Sequence, residues 1–208
     1  MPPTLLVSAI GQIDDVRKSR TLEPKASGDL VYLVGKTTDE LGGSEFYRYL
    51  GDCDGRSAAP NEPRPYVGNR PPTVDPERFL TLYRAFERAS DEGLLRSAAT
   101  PSLGGWAALF ARCVMASGLG LDLDLDDACR RAELSPERFL FAESNGRFLV
   151  TVLERDRERF EACFGGLPLL RIGSVDDEPR LKLRIARRTY RWDAAALSRG
   201  FKETLADG

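Results

Sequence analysis

Apolar positions recur with two periods along the chain, and these periods predict its helices and strands. Phe79, Leu82 and Phe86 share one face of a helix that begins after Asp75. The run over residues 30–35 is almost continuously apolar, which predicts a strand in the middle of a sheet. Further strands are predicted over residues 4–13, 121–125, 147–152, 169–175 and 180–185, and further helices over residues 46–50, 126–132, 155–164 and 193–205, with another short helix from residue 135.

The stretch over residues 100–125 organises the pattern around it. Proline, serine and glycine predict a tight turn there, and Ser102 is placed to cap the helix that follows. The next apolar positions have helical spacing, and glycines end that helix before leucines begin to alternate with aspartates. The apolar stripe consists of Trp106, Leu109, Phe110, Cys113 and Val114. The stretch therefore predicts a turn, a helix with one buried face and a half-buried strand.

Two glycine turns precede predicted helices, and each is a candidate anion site. Gly104 and Gly105 form the second turn, and Gly42 and Gly43 form the first, with Ser44 as the cap of its helix. Free backbone N–H groups and the helix dipole both favour negative charge at such positions. The alternative is that these glycines only let the helices pack closely on the sheet.

The order of the elements predicts an α+β fold, with a mixed β-sheet and helices packed on one face. Strands and helices are intermingled without strict alternation, as in an α+β sandwich. The chain has 208 residues, which suits a single domain. Residues 51–74 are rich in proline and predict a long irregular surface loop.

Composition excludes several classes of function. Apolar residues make up 42% of the chain and charged residues 30%, as in a soluble globular protein, and the net charge of −2 gives no sign of nucleic-acid or membrane binding. The chain has no histidine, which removes Ser-His and Cys-His catalysis and most transition-metal sites. Its four cysteines form no Cys-x-x-Cys pair, so we expect a reducing, cytoplasmic protein without disulfides or zinc.

Two groups of charges allow alternative interpretations. Arg180, Lys182 and Arg184 share one face of a predicted strand, where they either face a phosphate or, more commonly, protect a sheet edge from aggregation. Asp122 and Asp124 alternate with leucines before two further aspartates. These carboxylates could bind a divalent metal, but a solvated strand face is the stronger expectation. We assign no metal site.

Several stretches together resemble one family, the phosphoribosylformylglycinamidine synthases of purine biosynthesis, within the aminoimidazole ribonucleotide synthetase superfamily. The resemblance covers most of the chain in the family's order, so it is more specific than any single turn. It is to the C-terminal domain of that superfamily, most similar to the domain in the second half of the synthase. The matching stretches are residues 3–11, 14–18, 28–35, 39–45, Ser102-x-Gly104-Gly105, 118–120, 141–148 and 171–173.

This resemblance implies a function for a larger enzyme of which the chain is one domain. The family converts formylglycinamide ribonucleotide, glutamine and ATP to the amidine, releasing ADP, phosphate and glutamate. It implies ATP or ADP with magnesium, bound mostly by an N-terminal nucleotide-binding domain, and a glutaminase domain or subunit as a further partner. The resemblance therefore implies that residues 1–208 are a single C-terminal domain without that partner, and that the first residue is an artificial or truncated start.

The chain departs from the family's pattern at one turn, and this departure leaves two functions open. The family's turn usually reads His-Asp-x-Ser-Asp-Gly-Gly-Leu, but residues 99–106 here lack the histidine and both aspartates. We therefore assign no catalytic residue and expect the isolated chain to be inactive. Either the two turns form a phosphate-facing wall, or the domain is a non-catalytic scaffold that completes a pseudo-symmetric core. An exposed apolar surface where the missing domain docks makes a homodimer of the isolated chain a further expectation. The phosphate-binding candidates are Gly42, Gly43, Ser44, Ser102, Gly104 and Gly105.

Overall fold

A computed structural model describes residues 7–53 and 70–206, which form one seven-stranded sheet with helices on both faces. The strands lie in the order β2-β4-β1-β5-β3-β6-β7 across the sheet. They are β1 (Leu30–Val34), β2 (Leu95–Ala99), β3 (Gly120–Asp124), β4 (Phe148–Val152), β5 (Leu169–Asp176), β6 (Arg180–Ile185) and β7 (Arg188–Asp193).

The described residues also form seven α-helices, and local sequence signals explain where the clearest of them begin. In the longest helix the Asp75 side chain accepts a hydrogen bond from the Arg78 backbone N–H at 3.1 Å, with a proline in the first turn. The helices are α1 (Glu45–Cys53), α2 (Pro76–Asp91), α3 (Gly105–Ser117), α4 (Asp126–Ala132), α5 (Pro136–Phe141), α6 (Arg157–Cys163) and α7 (Ala194–Ala206). None of the helices within the described ranges is long and apolar enough to cross a membrane.

The sheet is mixed, and β1 lies in its interior, as its apolar run predicts. β1 is buried along its whole length and pairs antiparallel with β4 on one side and β5 on the other. The β3–β6 pair is parallel, whereas the remaining neighbours are antiparallel. The α+β class and the mixed sheet are therefore confirmed.

Two hydrophobic cores lie on opposite faces of the sheet, so the helical cover extends beyond the single face expected from sequence. The larger core joins one face to α3, α4, α5 and α7 and includes the predicted stripe of α3, with Trp106 and Phe110 fully buried. The smaller core lies on the other face, where Leu82 of α2 and Phe160 of α6 pack against β1 and β4. That second face is left without a helix over β3 and β6, where it carries charged side chains.

The predicted strand over residues 4–13 is wrong for the part that the structure describes. Residues 7–13 form no strand, and Val7 and Ile10 are 77% and 101% exposed. The apolar residues are present, but no strand among the described residues lies beside them to accept their backbone hydrogen bonds. Residues 4–6 lie outside the described ranges.

The predicted loop over residues 51–74 is shorter at its start than expected. Helix α1 continues to Cys53, with Gly51 buried, while residues 70–75 are irregular. Residues 54–69 lie outside the part of the chain that the structure describes.

The proposed edge role of the basic residues on β6 is wrong, because β6 lies between β3 and β7. Two of its cations, Lys182 and Arg184, instead form ion pairs with the carboxylates of β3 and of the start of α4, while Arg180 pairs with Asp176 and Glu178. Lys182 Nζ lies 2.6 Å from an Asp122 oxygen, and Arg184 lies 3.3 Å from Asp124 and 3.4 Å from Asp126. These aspartates therefore form a solvated, charge-paired strand face. The pairs are partly exposed, so each contributes at most about 1 kcal/mol.

Candidate functional site

The first glycine turn lies before α1 and is fixed by backbone contacts. The Gly42 N–H donates to the Arg70 carbonyl at 2.7 Å, and a Cβ at Gly42 would lie 2.6 Å from the Arg70 carbonyl carbon. Gly43 has a left-handed φ of +72°, with open space around its Cα. The Ser44 hydroxyl accepts a hydrogen bond from the Tyr47 N–H at 3.3 Å, so Ser44 caps α1 as predicted.

The second glycine turn lies before α3 and is capped differently from the prediction. Gly104 and Gly105 have φ values of +79° and +61°, and Gly104 is the N-cap residue, without a side-chain cap. Ser102 contributes its carbonyl oxygen, which accepts from the Gly105 N–H at 2.9 Å, while its side chain is exposed. The expected Ser102 cap is therefore wrong, because the left-handed glycine takes the position that a capping side chain would hold.

One carboxylate joins the two turns. Glu143 Oε1 accepts hydrogen bonds from the Gly104 N–H at 2.8 Å and from the Glu45 N–H, at the start of α1, at 3.0 Å. The fold thus brings the N-termini of α1 and α3 to a single anionic group, which both helix dipoles stabilise. Glu143 lies in one of the stretches that resemble the synthase family, but no sequence signal assigns it this position.

A buried arginine lies beneath this carboxylate. The Arg147 guanidinium donates to the Ser144 carbonyl at 2.7 Å, to the Ala142 carbonyl at 2.8 Å and to the Thr37 hydroxyl at 3.3 Å. It also stacks over the Trp106 ring, 4.8 Å from a ring centre, and the indole N–H donates to the same threonine hydroxyl. Burial lowers the pKa of Arg147 to about 9, while nearby Glu40 and Glu143 act in the opposite direction. At neutral pH the guanidinium is therefore charged.

Glu40, two residues before the first turn, accepts hydrogen bonds from two threonines. Its carboxylate accepts hydrogen bonds from the Thr73 N–H at 3.1 Å, the Thr73 hydroxyl at 2.5 Å and the Thr38 hydroxyl at 2.7 Å. Burial raises the pKa of Glu40, but these hydrogen bonds, together with Ser144, outweigh burial and lower it below the ordinary value of 4.5. The carboxylate therefore links the segment before the first turn to the chain that enters α2.

We expect Glu40→Gln to flatten the acid side of the stability profile. A lowered carboxylate pKa gives stability that is full above the unfolded-state value of 4.5 and is lost as pH falls through the folded-state value. Glutamine does not titrate, so the variant does not lose stability in this way. Its free energy of unfolding is expected to be about 1–2 kcal/mol below that of the wild type at pH 7, and this difference shrinks in acid. Urea unfolding from pH 7 to pH 3 measures both profiles. Glu137→Gln, at an exposed glutamate on α5, is the control, and equal slopes for all three proteins would contradict the role of Glu40.

The arrangement suits binding and positioning better than bond-breaking chemistry. The site consists of backbone N–H groups, two carboxylates and one buried guanidinium held by three acceptors. Within the described ranges, no group of three or more histidine, cysteine or acidic side chains is arranged to hold a metal ion. All six sequence-predicted site residues lie in the two turns that meet at Glu143.

Comparison with known proteins identifies a family that covers most of the chain. Residues 26–186 match the family described as AIR synthase related protein, C-terminal domain. The chain is 34% identical over 178 residues to the phosphoribosylformylglycinamidine synthase subunit PurL of Streptomyces coelicolor, and 31% identical over 211 residues to that of Leifsonia xyli. These alignments cover 85% and 99% of this chain but only 21% and 25% of the relatives, so the chain spans about a fifth to a quarter of their length.

Solved structures share the fold at lower sequence identity. A Thermotoga maritima PurL complexed with FGAR superposes with a TM-score of 0.67 at 17% identity, over 88% of this chain and 30% of that one. The same protein complexed with ATP gives a TM-score of 0.62 at 18% identity, over 88% and 28% of the two chains. A hydrogenase maturation protein, HypE of E. coli, gives a TM-score of 0.54 at 15% identity, over 85% and 52%.

Proposed function

The chain belongs to the AIR synthase related proteins and carries their C-terminal domain, and from this premise we propose that it is one domain of a phosphoribosylformylglycinamidine synthase. The complete enzyme would convert formylglycinamide ribonucleotide, glutamine and ATP to the amidine in the cytoplasm. The chain's curated relatives at 31–34% identity carry that name, and those of Streptomyces coelicolor and Leifsonia xyli are about four times its length. The activity therefore belongs to an assembly larger than residues 1–208.

Within that enzyme we assign the two glycine turns to a wall that faces a phosphate group. The observation that supports this assignment is the convergence of the Gly104 and Glu45 N–H groups on one anionic oxygen. Backbone N–H groups at helix N-termini bind phosphate in the same way as they bind a carboxylate. The wall would position a phosphorylated ligand by electrostatics while other domains supply the reacting groups. It consists of Gly42, Gly43, Ser44, Ser102, Gly104 and Gly105.

Among the described residues, no cluster of carboxylates is arranged to bind the magnesium of a nucleotide. The acidic side chains Asp122 and Asp124 are paired with Lys182 and Arg184, and no metal-binding cluster occurs elsewhere among the residues described. We therefore assign ATP or ADP and magnesium mostly to an N-terminal nucleotide-binding domain of the same enzyme. A glutaminase domain or subunit is the further partner that this reaction requires, because the nitrogen comes from glutamine.

A second function, a non-catalytic scaffold, is favoured by the same carboxylate. Glu143 already occupies the point where the two turns meet, so a phosphate would have to displace it or bind beside it. In a scaffold the glutamate would replace the ligand permanently and hold α1 and α3 together. The lost histidine and aspartates of the second turn agree with this alternative.

Calorimetric titration with Mg-ADP and, separately, with formylglycinamide ribonucleotide distinguishes the two functions. Gly43→Asp adds a negative charge at the first turn in open space, and Gly43→Asn has nearly the same shape without the charge. For a phosphate-facing wall we expect binding by the wild type that Gly43→Asp weakens at least about tenfold and Gly43→Asn does not.

Two controls accompany this titration. Gly28→Asp introduces the same charge at a left-handed glycine, also in open space, at the other end of β1, and should leave binding unchanged. The titrations are repeated with the N-terminal domain present, because a site shared between domains binds only when both are there. Affinities that are equal for Gly43→Asp and Gly43→Asn in that assembly would exclude the phosphate wall and leave the scaffold.

A further inference from the structure

The outer edge of β7 is the least protected edge of the sheet. All six residues of β7 are exposed, and only β6 pairs with it among the described strands. At the opposite edge, the Ala98 N–H of β2 donates to the Thr21 carbonyl at 3.0 Å, so the chain partly covers that side itself. β7 has no proline and no shift in its register with β6, two devices that usually prevent edge-to-edge pairing.

The β6–β7 hairpin determines which backbone groups point outward. Its two loop residues, Ala186 and Arg187, have φ values of +51° and +59°, as in the two-residue turn whose flanking pair is hydrogen-bonded. That pair is Ile185 and Arg188, and the hydrogen-bonded pairs then alternate along the ladder. The N–H and C=O groups of Thr189, Arg191 and Asp193 therefore point away from β6.

The side chains of β7 sort into two faces. Arg188, Tyr190 and Trp192 lie opposite Ile185, Leu183 and Leu181, on the face of the larger core. Tyr190 and Trp192 are each 39% exposed and stack with their ring centres 5.7 Å apart. They border an apolar groove of about 360 Å³ between β7 and the helices α3, α5 and α7.

We propose that this edge is an interface with a second copy of the chain, which adds its own β7 antiparallel to the first. A two-fold axis that relates two antiparallel strands keeps each residue on its own face, so odd-numbered positions pair with odd-numbered ones and even with even. In the register centred on Tyr190, Thr189 exchanges backbone hydrogen bonds with Arg191 of the second copy. The two sheets then join into one continuous sheet.

Self-complementarity of the β7 sequence favours a second copy as the occupant. In this register Tyr190 faces Tyr190 of the second copy, and Arg188 faces Trp192, a cation–aromatic pair that forms twice. The register centred one residue later places Arg191 opposite Arg191, and like charges in direct opposition are destabilising. Arg188 and Arg191 form no ion pair with any residue that the structure describes, so both remain available for these contacts.

Disulfide trapping of the full chain tests both the interface and its register. In a Cys53→Ser background the remaining cysteines are buried, and Tyr190→Cys would place two thiols opposite each other across the two-fold axis. We expect a several-fold higher yield of covalent dimer than from Leu80→Cys, a half-exposed position on α2 that reports random collision. A higher yield from Arg191→Cys than from Tyr190→Cys, or no excess over Leu80→Cys, would overturn the proposal.

Sedimentation equilibrium supplies a second test that does not depend on cysteine chemistry. The wild-type chain has a mass of 23.0 kDa, and at micromolar concentration we expect an apparent molecular mass of twice that value. Arg191→Pro removes one outward-pointing N–H without touching the β6 ladder and should shift the chain to the monomer while its circular dichroism is retained. A wild-type monomer over the whole range, or a dimer that Arg191→Pro leaves intact, would exclude pairing through β7.

Discussion

Arg147→Ala is expected to lower the free energy of unfolding by about 3–5 kcal/mol, which for a domain of this size is much of its total stability. The substitution removes the only donor of three buried hydrogen bonds and opens a cavity beside Trp106. It also leaves the carboxylates of Glu40 and Glu143 without the cation that lies close to both. Urea unfolding followed by circular dichroism measures the loss.

Two further arginine variants separate the causes of this effect. Arg147→Lys keeps the positive charge but lacks the planar fork that reaches two carbonyls while stacking on an indole, so we expect an intermediate loss. Arg155→Ala removes an arginine whose side chain is 81% exposed and should change stability by less than about 0.5 kcal/mol. A loss below about 1 kcal/mol for Arg147→Ala would mean that the guanidinium does not hold the site together.

Sequence periodicity predicted the elements whose own residues decide their structure. The apolar run at Leu30–Val34 became the interior strand β1, and the cap of α2 and the apolar stripes of α2 and α3 appeared where the pattern placed them. In α2 and α3 the spacing of the apolar residues identifies both the helix and its buried side, and in β1 the continuous apolar run indicates burial on both faces. Long-range contacts were not needed to recognise them.

The strands that the sequence did not reveal depend on their neighbours. β7 has six exposed residues and only two aromatic residues in alternation with polar ones, and it is a strand because it pairs with β6 along its whole length. β2 begins with one buried leucine and ends with three small residues that pair with β4. In contrast, residues 7–13 have the apolar pattern of a strand but no ladder beside them. Pairing across the sheet therefore outweighs local propensity at the edges.

The candidate site likewise combines features that the sequence predicts with features that only the fold shows. Both glycine turns are visible in the sequence, because glycine before a helix is a local signal. Their convergence is not visible, since Glu143 lies 98 residues from Glu45 and 39 from Gly104 in the chain. Only the three-dimensional fold shows that one carboxylate serves both helices and that Arg147 lies beneath it.

Gly105 is the glycine of the second turn for which we expect the largest effect of substitution. Its φ of +61° is strained for any residue with a Cβ, and that atom would lie 2.6 Å from the carbonyl oxygens of Leu140 and Ala142. Both obstacles are backbone atoms at the end of α5, which cannot rotate away as a side chain can. Gly105→Ala should therefore cost about 3 kcal/mol or more in the free energy of unfolding.

Gly43→Ala is the matched control, because Gly43 has a similar φ of +72° but no atom within 4 Å of the added Cβ. It should cost only about 1 kcal/mol, the conformational part of the effect. The difference between the two variants in urea unfolding then measures the contact between the second turn and α5. Equal losses would show that α5 moves aside freely. A large difference would mean that Gly105 is fixed by packing, in which case ligand binding at this site is tested with charges at Gly43 and not at Gly105.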